Sequence, residues 1–418
     1  MVKIPQYYIW TIGCQMNKAE SERLGGFFEQ LGYQETDKVD NADLILLNSC
    51  VVRQNAENKV INKLSNLKAL KRSRPDLKLA VTGCLVNADT ASLKKKFPHV
   101  DYFFKAGSYP DWLELPRQAS PIIPARPSVS SYVSIIQGCN NFCSYCIVPY
   151  RRGREISRPL NDIVSEVREL VRRGVKEVTL LGQNVDSYGH DLPEKPDLAG
   201  LLEEMNNIED LLRIRFLTNH PKDMSDRLIE AMANLDKVCE QINLPVQAGD
   251  DDILKSMKRG YTADHYRNLV TRIREKVPEI AITTDVIVGF PSETEAQFRN
   301  TYELMEELRF DSAHMAAYSP REGTFAAANL TNDVPPEEKI RRLRLIETLQ
   351  ERIAAEINAS MVDKTVEVLV ERKKGGKWQG RTRSDKLVFF TSSENCFGRL
   401  IRVKIDKTGS WSLQGKIA

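Results

Sequence analysis

The chain has 418 residues, of which 41% are hydrophobic and 28% charged, so it can build the cores of two or three globular domains. Its longest apolar runs, such as residues 44–47, are only long enough for a strand, which excludes a membrane span, and no signal peptide follows Met1. We therefore expect a cytoplasmic protein without membrane contact, whose eight cysteines serve metal or redox chemistry rather than disulfides.

The net charge of +3 is unevenly distributed along the chain. Residues 363–418 contain 13 Lys/Arg against 6 Asp/Glu, a net +7, whereas the preceding residues are slightly acidic. A basic segment on an acidic body is typical of nucleic-acid binding, although a solvated Lys/Arg surface has the same composition.

The first part of the chain, residues 1–118, alternates strand and helix patterns. We predict strands over 7–12, 43–48 and 77–82 and helices over 21–31 and 56–72. This alternation predicts an α/β domain with a parallel sheet, Rossmann- or flavodoxin-like.

Each of these three strands runs into a cysteine: Cys14, Cys50 and Cys84. The carboxyl ends of parallel strands lie along one edge of the sheet, where ligands bind, so we expect the three thiols to meet there. The topology thus predicts a three-thiolate cluster site; three buried structural cysteines are the alternative.

Residues 119–131 form a predicted proline-rich linker. Strand and helix patterns resume after it, and the six strand candidates are 132–136, 177–181, 213–217, 241–244, 284–288 and 313–317. Six such units over residues 132–358 predict a partial (βα)6 barrel, with chemistry at the carboxyl rim of its strands.

Cys139, Cys143 and Cys146 follow the first barrel strand in the pattern Cys-x3-Cys-x2-Cys. Structural zinc sites close with a fourth protein ligand, and none lies nearby. Three thiolates suit three corners of a cubane iron–sulfur cluster whose fourth iron stays open; three unrelated structural cysteines are the alternative.

The carboxy-terminal residues, 359–418, follow a long charged helix predicted over 335–361 and alternate with period two. They predict a small antiparallel β-barrel. Lys373, Lys374, Arg381 and Arg383 would form a basic patch, with Trp378 as a surface on which a base stacks.

Taken together, these segments resemble the methylthiotransferase family of radical S-adenosylmethionine (SAM) enzymes, along essentially the whole chain. The motifs that carry the resemblance are residues 11–17, 21–22, 138–150, 152–159, 181–184, 244–247, 257–261, 285–291, 318–321 and 380–383. The tail resembles the TRAM domain, a small RNA-binding β-barrel.

The resemblance implies two [4Fe-4S] clusters and two SAM molecules per turnover, one for the methyl group and one for a 5′-deoxyadenosyl radical. The cluster on Cys139, Cys143 and Cys146 would bind SAM at its open iron, and the cluster on Cys14, Cys50 and Cys84 would carry the sulfur. Tyr145, Gln183, Asn184 and Gln247 are the implied SAM contacts. The family's usual Ser-Gly-Ser after Gln247 is replaced by Ala248-Gly249-Asp250.

Within the family, Gln15-Met16-Asn17 and residues 380–383 look most like the branch that makes 2-methylthio-N(6)-isopentenyladenosine beside the tRNA anticodon. Other branches modify threonylcarbamoyl-adenosine in tRNA or an aspartate of a ribosomal protein. A noncatalytic iron–sulfur RNA-binding redox sensor is the alternative from another class.

The implied partners are a tRNA anticodon stem-loop, an electron donor such as flavodoxin or ferredoxin, and a sulfur source. We expect the protein itself to be a monomer. Arg152 and Arg154 directly follow the Cys-x3-Cys-x2-Cys loop. They are candidates to bind RNA phosphates close to the reaction, or to pair with acids of the barrel rim.

Overall fold

A computed structural model of the protein describes residues 3–50, 54–86, 90–106, 112, 123 and 127–418. Most of the predicted linker, residues 119–131, lies outside these ranges. Within them, no helix combines the length and the apolar character needed to cross a bilayer.

The amino-terminal domain is a five-stranded parallel sheet in the order β2-β1-β3-β4-β5. Its elements are β1 (Gln6–Thr11), α1 (Gln15–Gln30), β2 (Gln34–Glu35), β3 (Leu44–Ser49), α2 (Gln54–Ser73), β4 (Lys78–Gly83), α3 (Thr90–Lys96) and β5 (Tyr102–Phe103). Every residue of β3 is buried, which explains its continuous apolar run. Ile45 and Leu47 face the α2 side of the sheet, whereas Leu44 and Leu46 face α1, so helices cover both faces.

The central domain contains the six predicted barrel strands, all parallel to their neighbours. The strands are β6 (Ser130–Ser134), β9 (Glu177–Leu181), β10 (Arg213–Phe216), β11 (Gln241–Asn243), β12 (Ala281–Val288) and β13 (Ser312–Ala317). They form two three-stranded sheets, β10-β9-β6 and β11-β12-β13, and a parallel bridge between Ile214 and Val238 joins the two. The predicted partial barrel is confirmed.

Helices follow the barrel strands and cover the outside. They are α4 (Val148–Arg152), α5 (Leu160–Arg172), α6 (Leu198–Asn206), α7 (Asp226–Asn234), α8 (Asp251–Ser256), α9 (Ala263–Lys276), α10 (Glu295–Leu308), α11 (Phe325–Asn329) and α12 (Pro336–Ala359). A short antiparallel pair, β7 (Ile136–Gln137) and β8 (Ile156–Ser157), brackets the loop that carries Cys139, Cys143 and Cys146.

The carboxy-terminal residues form a closed five-stranded barrel in the order β14-β15-β16-β18-β17. Its strands are β14 (Thr365–Lys374), β15 (Lys377–Arg381), β16 (Leu387–Phe390), β17 (Leu400–Thr408) and β18 (Leu413–Ile417). The predicted small barrel is confirmed, with one difference from the antiparallel prediction. The last strand, β18, closes the barrel by inserting between β17 and β16, and it pairs with β16 in parallel.

Arginines of the central domain anchor this small barrel. Arg213 and Arg215, at the amino-terminal end of β10, donate hydrogen bonds to the backbone carbonyls of Arg381, Thr382 and Arg383 at 2.6–2.7 Å. The small barrel therefore docks at the end of the barrel strands opposite to the cysteine loop.

Candidate active site

The Cys139–Cys143–Cys146 loop is closed by its own backbone. Gly138 has a φ of +82°, and a Cβ there would lie 2.0 Å from the carbonyl oxygen of Arg154. The amide of Cys139 donates to the carbonyl of Gly153 at 3.1 Å, and that of Cys146 to the carbonyl of Cys143 at 2.9 Å. These contacts hold the three cysteines on one tight turn before α4.

The surroundings of this loop disfavour free thiolates. Burial raises the pKa of Cys139, and it raises the pKa of Cys146 to about 12, with the nearby Cys143 adding to both shifts. The buried Arg259 approaches from the opposite side and places Nη1 3.3 Å from Cys143 Sγ. Metal binding deprotonates thiols, so bound iron and the Arg259 charge would both stabilise the thiolate form.

The structure brings Cys14, Cys50 and Cys84 together at the carboxyl edge of the amino-terminal sheet. A Cβ on Gly13 would lie 2.6 Å from Cys50 Cβ, and the amide of Cys84 donates to the carbonyl of Ser49 at 2.8 Å. Cys14 and Cys84 both act electrostatically on one guanidinium, that of Arg152. This is the convergence that the parallel topology predicts.

Neither set of cysteines has the spacing of a single-ion site. In the part of the chain that the structure describes, no three His, Cys, Asp or Glu side chains could hold one metal ion. A cubane cluster spreads its thiolates over separate irons, and each set consists of three cysteines without a fourth protein ligand in its sequence pattern. The donor set fits a four-iron cluster with one open iron at each place.

Asn17 and Arg152 connect the two sets of cysteines. Asn17 is completely buried, and its Nδ2 donates to the carbonyls of Ile12 and Ser49, next to the loops of Cys14 and Cys50. Its Oδ1 accepts a hydrogen bond of 2.8 Å from Arg152 Nη2, and the neighbouring Cys84, Glu20 and Cys14 raise the pKa of Arg152 against the lowering effect of its burial. Arg152 thus lies beside the amino-terminal cysteines, which favours a different role from its predicted phosphate contact.

The four predicted SAM contacts lie around the rim of the barrel. Tyr145 packs edge-on against Phe290, with ring centroids 6.4 Å apart. Gln183 accepts a hydrogen bond from the amide of Gly138 and so holds the start of the cysteine loop.

The other two predicted contacts are buried. Asn184 Nδ2 lies 2.7 Å from Asp223 Oδ2. Gln247 is buried, and its backbone adopts a left-handed conformation with a φ of +71°.

The same rim holds a buried polar group that the sequence patterns did not predict. Asp186 accepts hydrogen bonds from Asn219 Nδ2 and from the amide of His220. Burial raises the pKa of Asp186 to about 7 and lowers the pKa of His220 to about 2. These residues follow barrel strands, but neither their spacing nor their types separated them from ordinary loop residues.

The predicted RNA-binding residues separate into two groups. Lys373, Lys374 and Arg154 are exposed. Trp378 is only 6% exposed and belongs to the core of the small barrel, so its prediction as a stacking surface is wrong. The ring is apolar, and closing the five-stranded barrel buries it.

Arg381 and Arg383 are engaged within the protein. Arg383 pairs with Glu240 of the central domain, Nη2 to Oε1 at 2.7 Å, and donates to the carbonyl of Val238. Arg381 pairs with Asp385 at 3.1 Å. Arg383 thus helps to dock the small barrel, and its contact with an RNA phosphate remains a prediction.

Three family profiles match this architecture. The profile of the Radical SAM superfamily matches residues 133–305, that of Uncharacterized protein family UPF0004 matches 6–105, and that of the TRAM domain matches 359–418. The radical SAM methyltransferase TsrM from Kitasatospora setae has a similar fold, with a TM-score of 0.56 at 13% identity over 78% of this chain and 77% of TsrM.

Among curated relatives, the tRNA-2-methylthio-N(6)-dimethylallyladenosine synthase of Dehalococcoides mccartyi (strain CBDB1) is 59% identical over 99% of both chains. The enzyme of the same name from Roseiflexus sp. (strain RS-1) is 50% identical over 99% of this chain and 90% of its own length. The resemblance noted from the motifs is confirmed: the chain belongs to the family of tRNA-2-methylthio-N(6)-dimethylallyladenosine synthases, within the radical SAM superfamily.

Proposed function

We propose that this protein inserts a methylthio group at the 2-position of N(6)-isopentenyladenosine next to the tRNA anticodon. The observation that carries the proposal is the connection of two open three-cysteine sets through Arg152 and Asn17. Replacing an aromatic C–H bond by C–S requires both a radical source and a sulfur carrier, and acid–base side chains alone supply neither.

In this proposal Cys139, Cys143 and Cys146 hold one [4Fe-4S] cluster and Cys14, Cys50 and Cys84 hold a second. The cluster held by Cys139, Cys143 and Cys146 would supply radical chemistry from bound SAM, and a second SAM would supply the methyl group. Arg259 holds Cys143 from within the barrel, and Gln183 holds the start of the cysteine loop. Tyr145, Asn184 and Gln247 remain proposed SAM contacts, supported by their position at the rim.

The proposed RNA partner is the anticodon stem-loop, whose target base must leave its stack to reach a buried site. Lys373 and Lys374, exposed on the β14–β15 hairpin, support phosphate binding by the small barrel. A flavodoxin or ferredoxin as electron donor, a separate sulfur source, a monomeric state and a cytoplasmic location complete the proposal. We also propose domain boundaries at 1–118, 132–358 and 359–418, with residues 119–131 as the linker.

Mass spectrometry of tRNA nucleosides from cells with and without this protein tests the substrate. We expect the 2-methylthio derivative of isopentenyladenosine to disappear and its unmodified precursor to accumulate. In vitro, the reconstituted enzyme should modify an isopentenylated anticodon stem-loop and leave a threonylcarbamoylated one unmodified. Methylthiolation of the threonylcarbamoylated stem-loop, or of a ribosomal-protein aspartate, would contradict the assignment.

A further inference from the structure

We propose that Arg152 is a positioning residue that ties the sulfur-carrying cluster to the radical-generating loop and supplies the positive charge beside it. This inference rests on the proposed function, and it concerns a residue that the sequence motifs assigned to RNA. Arg152 ends α4, the helix that directly follows Cys146, so the radical loop itself fixes where its backbone lies.

The side chain of Arg152 leaves its own domain. It donates to Asn17 Oδ1 at 2.8 Å, and the side chains of Cys84, Glu20 and Cys14 lie near its charge. Asn17 in turn donates to the carbonyls of Ile12 and Ser49, at 3.0 and 2.9 Å. The Arg152 guanidinium is therefore connected through Asn17 to the segments that carry Cys14 and Cys50, and it lies near Cys84.

Charge gives the same residue a second role. A four-iron cluster on three thiolates carries net negative charge, and an electron added to it increases that charge. A fixed cation beside the thiolates stabilises the reduced state more than the oxidised state, because Coulomb energies are large away from water. Arg259 has the corresponding place beside Cys143 of the other set, so each set of cysteines has an arginine of its own.

Charge and geometry can be separated by two substitutions. Arg152→Gln removes the charge and keeps hydrogen-bonding capacity, whereas Arg152→Lys keeps the charge but replaces the planar fork by a single ammonium, which cannot hold both partners in the same way. Arg154→Gln is the matched control for the redox titration, which involves no RNA, since Arg154 lies two residues away and is exposed above the Phe142 ring, 4.4 Å from its centroid.

The charge is tested in the full-length chain with Cys139, Cys143 and Cys146 replaced by Ala, so that only the second cluster gives a signal. An EPR-monitored redox titration should show a more negative midpoint potential for Arg152→Gln than for the parent, and an unchanged potential for Arg152→Lys and Arg154→Gln. Loss of iron from the Arg152→Gln chain, with full iron in the Arg152→Lys and Arg154→Gln chains, also supports the charge role. Equal potentials in all variants, or equal iron loss from Arg152→Gln and Arg152→Lys, overturn it.

The positioning is tested in the intact chain by the ratio of methylthio product to 5′-deoxyadenosine formed. This ratio should fall in both Arg152 variants by roughly ten- to a hundredfold, as a misplaced reactant requires, while SAM cleavage continues. Ratios equal to that of the wild-type chain overturn the proposal. The chain that lacks Cys139, Cys143 and Cys146 but keeps Arg152 tests the second cluster itself. If this chain binds no iron, the second cluster is refuted, a result that differs from the failure of the Arg152 proposal.

Discussion

At the scale of single residues, exposure decides which side chains can meet RNA. Trp378 and Lys373 are opposite partners in the β14–β15 ladder, and the Lys373 ammonium lies 5.0 Å from the centroid of the indole ring. The lysine is exposed, whereas the indole packs with Val368, Val388 and Phe390 inside the small barrel. In this basic and aromatic segment, Lys373 therefore contributes surface charge, whereas Trp378 contributes to the stability of the small barrel.

Trp378→Ala is expected to destabilise the small barrel by about 3–5 kcal/mol, because it empties a packed core position. Thermal or urea unfolding measures this decrease. Trp411, which is 57% exposed, is the matched control, and Trp411→Ala should change stability by less than about 0.5 kcal/mol. Equal stability of the two variants would show that the Trp378 ring is not a core residue.

Lys373→Ala together with Lys374→Ala should leave unfolding unchanged and weaken binding of the anticodon stem-loop. The slope of log affinity against log salt should flatten by about one unit for each phosphate that the lysines neutralise in the wild-type complex. Affinity measured at several salt concentrations checks this. An unaltered slope would exclude these two lysines from the RNA interface.

The buried carboxyl of Asp186 gives stability a pH dependence. Its pKa is raised by burial from 3.8 to about 7, so between these values the folded chain keeps a proton that the unfolded chain loses. The contribution of Asp186 to stability should therefore fall by at most about 4 kcal/mol as pH rises from about 4 to 7 and then level off, whereas the adjacent His220, whose pKa burial lowers to about 2, contributes a slope of the opposite sign. Asp186→Asn should remove the Asp186 contribution, so the difference in stability between the two chains should change between pH 5 and pH 8 in urea unfolding of the apoproteins. Parallel pH profiles for both chains would contradict the raised pKa.

At the scale of elements, glycines before the cysteines let neighbouring strand ends approach each other. Gly83 has a φ of +87°, and a Cβ there would lie 2.3 Å from the carbonyl oxygen of Ser49. The adjacent Cys84 can lie next to Cys50 only because this contact is free of a side chain. Gly13 has the same function between Cys14 and Cys50.

Gly83→Ala should therefore abolish the second cluster. Reconstituted protein is expected to fall from about eight irons per chain to about four, since each cubane holds four. Gly32→Ala is the control: its φ of +84° brings similar backbone strain, but nothing lies within 4 Å of the added Cβ. Iron analysis after anaerobic reconstitution checks both, and full iron in the Gly83→Ala chain would refute the close approach.

At the scale of the whole molecule, the small barrel and the cysteine loops lie at opposite ends of the central strands. Arg213 and Arg215 are buried where they donate to the small barrel, Arg383 pairs with Glu240, and Lys386 pairs with Asp311 at 2.7 Å. The amino-terminal domain is held to the central domain by other contacts, among them Arg321 to Glu57 at 2.8 Å. The three parts are thus connected by specific polar contacts.

Deletion of residues 363–418 should consequently do more than remove the RNA-binding surface. It removes the carbonyl acceptors of Arg213 and Arg215 and the ion pair of Arg213 with Glu367, while Arg215 keeps Glu177 at 3.1 Å, and it uncovers the surface on which the small barrel docks. We expect a lower unfolding temperature for the truncated chain, with the cysteines of both sets still able to bind iron. A truncated chain as stable as the full one would show that the docking interactions contribute nothing.

The sequence by itself determined the main strands of the three parts and the meeting of Cys14, Cys50 and Cys84, because strand periodicity is local and parallel strands end at one edge of a sheet; it missed short strands such as β2 and β5 and began the first helix at residue 21 instead of Gln15. It also marked Cys139, Cys143 and Cys146, which lie within eight residues. Only the tertiary structure decided which cations face solvent: Arg152 meets Asn17, 135 residues away in the chain, and Arg383 meets Glu240, 143 residues away. Pairing over such distances depends on how domains dock, and no local pattern records the partner.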